Sequence, residues 1–134
     1  MTAFDTNVLI YACDKANPER QKKAIELFTT TGDGVLLWQV ACEFIAASRK
    51  LAPQGFTAHD AWSRLTEFRA VFPLIIPNDS VIAKAEALHL QSGWSFWDAM
   101  IAGACLAVGV KRLYTEDLPG RSISGQLEIL NPFV

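Results

Sequence analysis

Short apolar runs alternate along the whole chain with longer stretches of helical periodicity. Thr2-Ala3-Phe4 reads as a strand stopped by Asp5-Thr6-Asn7, and Val8-Leu9-Ile10-Tyr11-Ala12 then continues as an apolar helix. Asn17-Pro18 opens a second helix, with Asn17 as N-cap, Pro18 at the first helical position and Ala24, Ile25, Leu27 and Phe28 as its buried stripe. Gly32-Asp33-Gly34 turns the chain into a strand, Val35-Leu36-Leu37, followed by a helix from about Gln39 to Leu51. After the break at Pro53-Gln54-Gly55, Thr57 caps a helix that runs to about Val71 with Trp62, Leu65, Phe68 and Val71 facing inward. Leu74-Ile75-Ile76 is a third strand. Pro77-Asn78-Asp79-Ser80 leads into a helix from Val81 to about Gln91, with Asp79 as its simplest N-cap.

The next helix begins near Ser95 and runs to about Val108. It carries no charge from Ala99 to Val110, has Gly103 as a small-residue contact and ends on Gly109, which places it in the centre of a domain. Lys111 to Thr115 is a fourth strand and Glu128-Ile129-Leu130 a short last one. Strands alternating with helices of this length predict an α/β fold. The expectation is one domain over residues 1–134, with a parallel sheet of four to five strands, right-handed crossovers and helices on both faces.

Composition sharpens this picture. Hydrophobic residues make up 51% of the 134 and mean hydropathy is +0.19, which fits buried parallel strands or a surface covered by a partner. A net charge of -2 leaves no room for a broad basic nucleic-acid patch. The longest uncharged run is too short and too glycine-broken to span a membrane. No Lys or Arg precedes the first apolar segment and Asp5 interrupts it, so a signal peptide is not expected. Cys13, Cys42 and Cys105 are an odd set without a CxxC pair, each in apolar surroundings. They are expected to be buried free thiols in a reducing cytoplasm, not zinc ligands.

Four acidic residues hold related positions. Asp5 ends the first strand, Glu43 lies one to two turns into the helix after the second, and Asp117 follows the fourth. These places share the carboxyl edge of a parallel sheet, where open α/β sheets put their sites. Asp98 lies in the first turn of the apolar helix, which must start at that edge to run back across the sheet. Helix capping accounts for single residues: Asp5 as N-cap, and Ser95 with Asp98 as a capping box. Glu43 is ringed by Val40, Ala41, Phe44 and Ile45, so it needs a cation partner or a wet cleft. Four gathered carboxylates repel each other unless a hard divalent cation, Mg²⁺ or Mn²⁺, lies among them. His59 and His89 are placed on helix surfaces.

Asp5-Thr6-Asn7-Val8-Leu9-Ile10-Tyr11, the helical Glu43, Trp97-Asp98 before an apolar helix and Leu113-Tyr114-Thr115-Glu116-Asp117-Leu118 together resemble the PIN-domain nucleases, with the VapC-type toxin branch as the best match. The resemblance implies an Mg²⁺- or Mn²⁺-dependent endoribonuclease that cuts single-stranded RNA, paired with an antitoxin and forming a homodimer. Carried over by position, Asp5, Glu43, Asp98 and Asp117 match the acidic set, while Asn7 and Thr115 match its polar helpers. Glu116 is an extra carboxylate beside Asp117, and the choice between them stays open. The helices around Ile25–Phe28 and Trp62–Phe68 are the expected partner contacts. Arg121, Lys15 and Arg49 are the candidate phosphate contacts, with Arg121 favoured because Pro119-Gly120 can turn it back. Trp94, Phe96 and Trp97 serve either core or dimer packing, which is favoured, or base stacking beside Asp98.

Other classes fit less well. One is a catalytically weak PIN fold that only binds a protein partner, whose mark would be a missing acid. A phospho-acceptor receiver domain needs an acidic pair after strand one and a Lys after its last core strand; here Asp5 stands alone and Lys111 precedes its strand. A haloacid-dehalogenase-like phosphatase needs a second aspartate where Asn7 stands. No GxGxxG or GxxxxGK[ST] pattern points to nucleotide binding.

Overall fold

In the computed structural model, which describes residues 1–118 and 122–134, β1 (Thr2–Phe4) lies at the middle of a five-stranded sheet. The other strands are β2 (Gly34–Leu37), β3 (Leu74–Ile75), β4 (Arg112–Tyr114) and β5 (Glu128–Leu130). The order is β3-β2-β1-β4-β5 and every pairing is parallel. Ala3 pairs with Val35 on one side and Leu113 on the other. β1 and β2 are buried along their whole length, which is why they read as unbroken apolar runs.

The helices are α1 (Thr6–Cys13), α2 (Pro18–Thr30), α3 (Trp38–Ala47), α4 (Ala58–Val71), α5 (Ser80–Gln91) and α6 (Phe96–Val108), with a 3₁₀ segment over Ser48–Gln54. From β1 to β3 the chain steps one way across the sheet; from β3 it returns past β1 to β4. Right-handed crossovers therefore put α1 to α4 on one face and α5 and α6 on the other. The reversal leaves a switch point at the seam between β1 and β4, the place where α/β sheets open a crevice. This order differs from the 2-1-3-4-5 arrangement of receiver domains, so the receiver-like alternative falls.

An aromatic cluster fills one face. Phe4 meets Phe28, Phe72 and Tyr114, and Phe68 meets both Phe28 and Phe44. Gly34 must lack a side chain, because a Cβ there would lie 2.6 Å from the Phe72 ring. On the other face α5 and α6 touch at backbone distance: a Cβ on Gly103 would lie 3.0 Å from the Ala85 nitrogen and 3.1 Å from the Val81 carbonyl oxygen.

Several local expectations are corrected. The third helix leaves α geometry after Ala47, four residues early, where the Ser48 hydroxyl donates to the Ile45 carbonyl and the chain tightens towards Pro53. Ile25, Trp62 and Val71 are exposed, so the inward stripes are narrower: Ala24 with the half-buried Leu27 and Phe28 in α2, and Ala61, Leu65 and Phe68 in α4. Cys42 is exposed, while Cys13 and Cys105 are buried. Asp79 makes no capping bond; Asn78 Oδ1 takes the Ser80 N–H instead. The Asn17 amide is turned to Asp14 and gives α2 no cap, though Pro18 does sit at its start. Thr57 caps α4 as expected, in a reciprocal box with Asp60.

Candidate active site

Asp5 leaves β1 in extended geometry and caps α1, its Oδ1 accepting the Thr6 N–H at 2.7 Å. Its other oxygen, Oδ2, accepts from the Thr115 hydroxyl at 2.9 Å across the β1–β4 seam. The capping reading thus holds for one oxygen and leaves the other at the switch point. Burial pushes the Asp5 carboxyl up from 3.8 to about 6; the bonds from Thr115 and Thr6 oppose this, and the charges of Glu43 and Asp117 add to it.

Thr115, fully buried just past β4, organises the seam. Its one proton goes to Asp5, and its lone pairs accept from Asn7 Nδ2 at 3.2 Å and from the Asp117 N–H at 3.1 Å. Asn7 Nδ2 also donates to Asp117 Oδ2 at 3.0 Å. This leaves Asn7 Oδ1 buried without a hydrogen-bond partner among the described residues. Glu116 points elsewhere: it accepts from the Tyr11 hydroxyl at 2.5 Å and pairs with Arg20 at 3.5 Å. Of the two adjacent acids, Asp117 is the one turned to Asn7 and Thr115.

Among the described residues Glu43 has no cation partner, and it is only partly buried. Its Oε2 accepts from the Thr6 hydroxyl at 2.9 Å and its Oε1 from Gln39 Nε2 at 3.0 Å. Gln39 also reaches the Trp97 carbonyl at 3.5 Å, which ties the start of α3 to the start of α6. Asp98, half-buried in the first turn of α6, makes no hydrogen bond or ion pair among the described residues. Ser95 gives no side-chain cap, so the expected capping box is absent.

Thr6 and Gln39 were not singled out from the sequence. Gln39 stands four residues before Glu43 on one helix face, a spacing that was there to be read. Thr6 is flanked by two site residues and looked like one more cap. Lys15 and Arg49 lie beyond the far ends of α1 and α3, away from the edge where both helices begin. The Lys15 N–H donates to Gln54, and the Arg49 side chain to the Phe56 carbonyl. Arg121 lies outside the described residues. Trp94 is buried, whereas Phe96 and Trp97 are exposed next to Asp98.

The expected meeting of all four carboxylates is not reached: among the described residues no three acidic, histidine or cysteine side chains converge on one point, and neutral donors hold Asp5, Glu43 and Asp117 separately. The donor set is nonetheless all hard oxygen, with an unpartnered Asn7 Oδ1 beside it and no ion pair to Asp5, Glu43, Asp98 or Asp117 among the described residues. That chemistry suits Mg²⁺ or Mn²⁺ and not a thiolate- or imidazole-seeking ion. Beside the site an apolar cleft of about 280 Å³ opens between α3 and α6, lined by Trp38, Cys42, Trp97 and Met100 among others.

Comparison with known proteins bears on this site. The PIN domain family model matches residues 3–118. Among solved structures, a toxin–antitoxin complex from Klebsiella pneumoniae contains a chain similar over 98% of both lengths, with a TM-score of 0.68 and 18% identity. No curated protein matches.

Proposed function

Because this chain belongs to the PIN domain family, we propose that its carboxyl-edge site is the centre of an Mg²⁺- or Mn²⁺-dependent endoribonuclease acting on single-stranded RNA. The observation that carries this reading is Asp5: a buried carboxylate at the topological switch point, with Glu43 and Asp117 close enough to raise its pKa and no cation paired to it among the described residues. A nucleic-acid phosphate would be repelled by such a site as it stands.

Asp5, Glu43, Asp98 and Asp117 would serve the ion, some of them through its bound waters, with Asn7 and Thr115 orienting Asp5 and Asp117. The bound ion supplies a nucleophilic water near neutral pH and offsets charge on the phosphate. The protein's own part is orientation. Thr115 fixes Oδ2 of Asp5, the Thr6 N–H fixes Oδ1, and Asn7 holds Asp117 at the seam. Thr6 and Gln39 keep Glu43 turned to the same edge. Arg121 follows the Asp117 segment and is assigned a phosphate. Lys15 and Arg49 are too far along their helices to share that task.

We assign the chain to the VapC-type branch, as the toxin of a toxin–antitoxin pair. The similar Klebsiella chain comes from a toxin–antitoxin complex. The apolar surface supports an antitoxin and a homodimer: Trp38, Trp62 and Trp97 are 47%, 59% and 62% exposed. That surface replaces the α2 stripe as the partner face, because Leu27 and Phe28 pack on the core. A cytoplasmic location accords with an RNA substrate, and no helix among the described residues is long and apolar enough to cross a membrane. The test is incubation with single-stranded RNA in Mg²⁺, Mn²⁺ or EDTA, with fragment ends mapped. Cleavage that persists in EDTA, or that survives both Asp5→Asn and Asp98→Asn, overturns the reading.

A further inference from the structure

Asn7 and Tyr11 are one helical turn apart on α1 and therefore project from one face. That face grips two successive residues after β4. Asn7 holds the Asp117 carboxylate at 3.0 Å, and the Tyr11 hydroxyl holds Glu116 at 2.5 Å. α2 adds Arg20, whose Nε lies 3.5 Å from the second Glu116 oxygen. The Arg20 guanidinium is held in turn by two rings, 5.3 Å from the centre of Tyr11 and 5.8 Å from that of Phe133. Those two rings meet edge to face at 4.9 Å. On the other side of Asp117, Leu118 is buried in the core. Asp117 itself is exposed and among the described residues has a single side-chain bond, so its neighbours decide where it stands.

We propose that Glu116 is a positioning residue: with Tyr11 and Arg20 it forms a clamp that sets the Asp117 carboxylate against Asn7 and Thr115, and it is not itself a ligand. The proposal rests on the metal-site reading above and deepens it. Tyr11 and Arg20 take both Glu116 oxygens, and both oxygens face α1 and α2 instead of the seam. Removing the clamp leaves Asp117 on its carboxylate bond from Asn7 and its N–H bond to Thr115, and loss of such outer partners weakens metal binding by about 10- to 100-fold.

The experiment has two readouts on Glu116→Ala, Glu116→Gln, Tyr11→Phe and Asp117→Asn. One is Mn²⁺ affinity from the free-ion paramagnetic resonance signal. The other is exchange of the Asp117 amide proton in metal-free protein, since that N–H donates to Thr115 at 3.1 Å. Expected for Glu116→Ala and Tyr11→Phe are about tenfold weaker Mn²⁺ binding and about tenfold faster Asp117 exchange, with turnover restored at saturating Mn²⁺. Glu116→Gln, which still accepts from Tyr11, should recover most of both. Parental exchange and affinity in Glu116→Ala and Tyr11→Phe would overturn the clamp. So would a Glu116→Ala variant that loses Mn²⁺ as fully as Asp117→Asn while its Asp117 amide stays protected, for Glu116 would then be a ligand. If the parent protein binds no Mn²⁺, the nuclease reading falls, and Asp117 exchange alone decides whether the clamp exists.

Discussion

The Thr115 hydroxyl donates to Asp5 Oδ2 at 2.9 Å, joining the ends of two adjacent parallel strands that lie 110 residues apart in the chain. The hydroxyl has one proton and two lone pairs, and all three are used. Thr115→Val should therefore strand the Asp117 N–H and the Asp5 carboxylate together, costing about 2 kcal/mol of stability and lowering cleavage by about 10- to 100-fold. Thr115→Ser keeps the hydroxyl and should retain most activity, while losing about 1 kcal/mol for the missing buried methyl. Denaturant melts and initial cleavage rates on the two variants separate these effects.

Asp5 gives the metal-free protein an inverted pH response. Its carboxyl titrates at about 6 in the folded chain against 3.8 as a free side chain. Between those values the folded state holds the extra proton, so stability falls as pH rises from about 4 to 6 and stays lower above that, by on the order of 2–3 kcal/mol. Asp14 acts in the opposite sense: burial raises its carboxyl, but bonds from Gln54, Asn17 and the Ala16 N–H outweigh this and hold it low, so its contribution is lost in acid. The measurement is thus the difference between parent and Asp5→Asn in EDTA across this range. A difference that does not change with pH would refute the assignment. Adding Mg²⁺ should raise the parent's melting temperature above pH 6 and do little below pH 4.

Asp98→Asn should abolish cleavage and barely alter the fold. Asp98 has no bonded partner among the described residues, and Ser95 does not cap the helix. What remains to lose is the attraction of a first-turn carboxylate to the helix dipole, about 0.5 kcal/mol. Thermal melts paired with cleavage assays check this; a loss of several degrees would show a structural role for Asp98 that the hydrogen bonds do not record.

Gly103→Ala raises helix propensity by about 1 kcal/mol and should still destabilise the protein. The added Cβ would press on Val81 and Ala85 backbone atoms at 3.0–3.1 Å, which are not free to rotate away. Overpacking of this kind costs about 1–3 kcal/mol. Because α6 carries Asp98 and must shift from α5, divalent affinity should drop too. Chemical denaturation and Mn²⁺ titration of one variant test both parts.

RNA binding by an Asp98→Asn variant should depend only shallowly on salt. The net charge is -2, so phosphate attraction would rest on the ion and a few local cations. A slope typical of six or more phosphate contacts would reveal a basic surface not recognised in this chain. Arg121→Ala in the same background should weaken binding and flatten the slope further; no change would remove Arg121 from the RNA path.

The succession of strands and helices and the places of Asp5, Asn7, Thr115 and Asp117 were readable because each sits where an apolar run ends in polar residues, and the topology of parallel sheets carries such endings to one edge; the order of the strands in the sheet was not. Exposure was not readable. Trp62, Val71 and Ile25 fall at helical spacing that suits burial, yet small residues such as Ala24 and Ala61 face the core, and the large ones are left outside. Cys42 misled for the same reason. Glu116 and Asp117 could not be told apart along the chain, because what separates them is which α1 side chain each meets. Glu43 was expected to meet a cation or lie at a wet cleft; among the described residues it meets an amide and a hydroxyl, and no charge pattern announces those.

The central strand has a consequence for synthesis. β1 is made first, yet one of its two neighbours, β4, is among the last strands to leave the ribosome. A nascent chain shorter than about residue 115 carries Asp5 without Thr115, Asn7 without Asp117 and an unpaired flank on β1. Long-range parallel pairing is slow to form, and its loop-closure entropy must be met before any contact offsets it. The acidic centre is therefore assembled only once β4 and the residues just past it have been made, and the proposed RNA-cutting activity would have to wait for them.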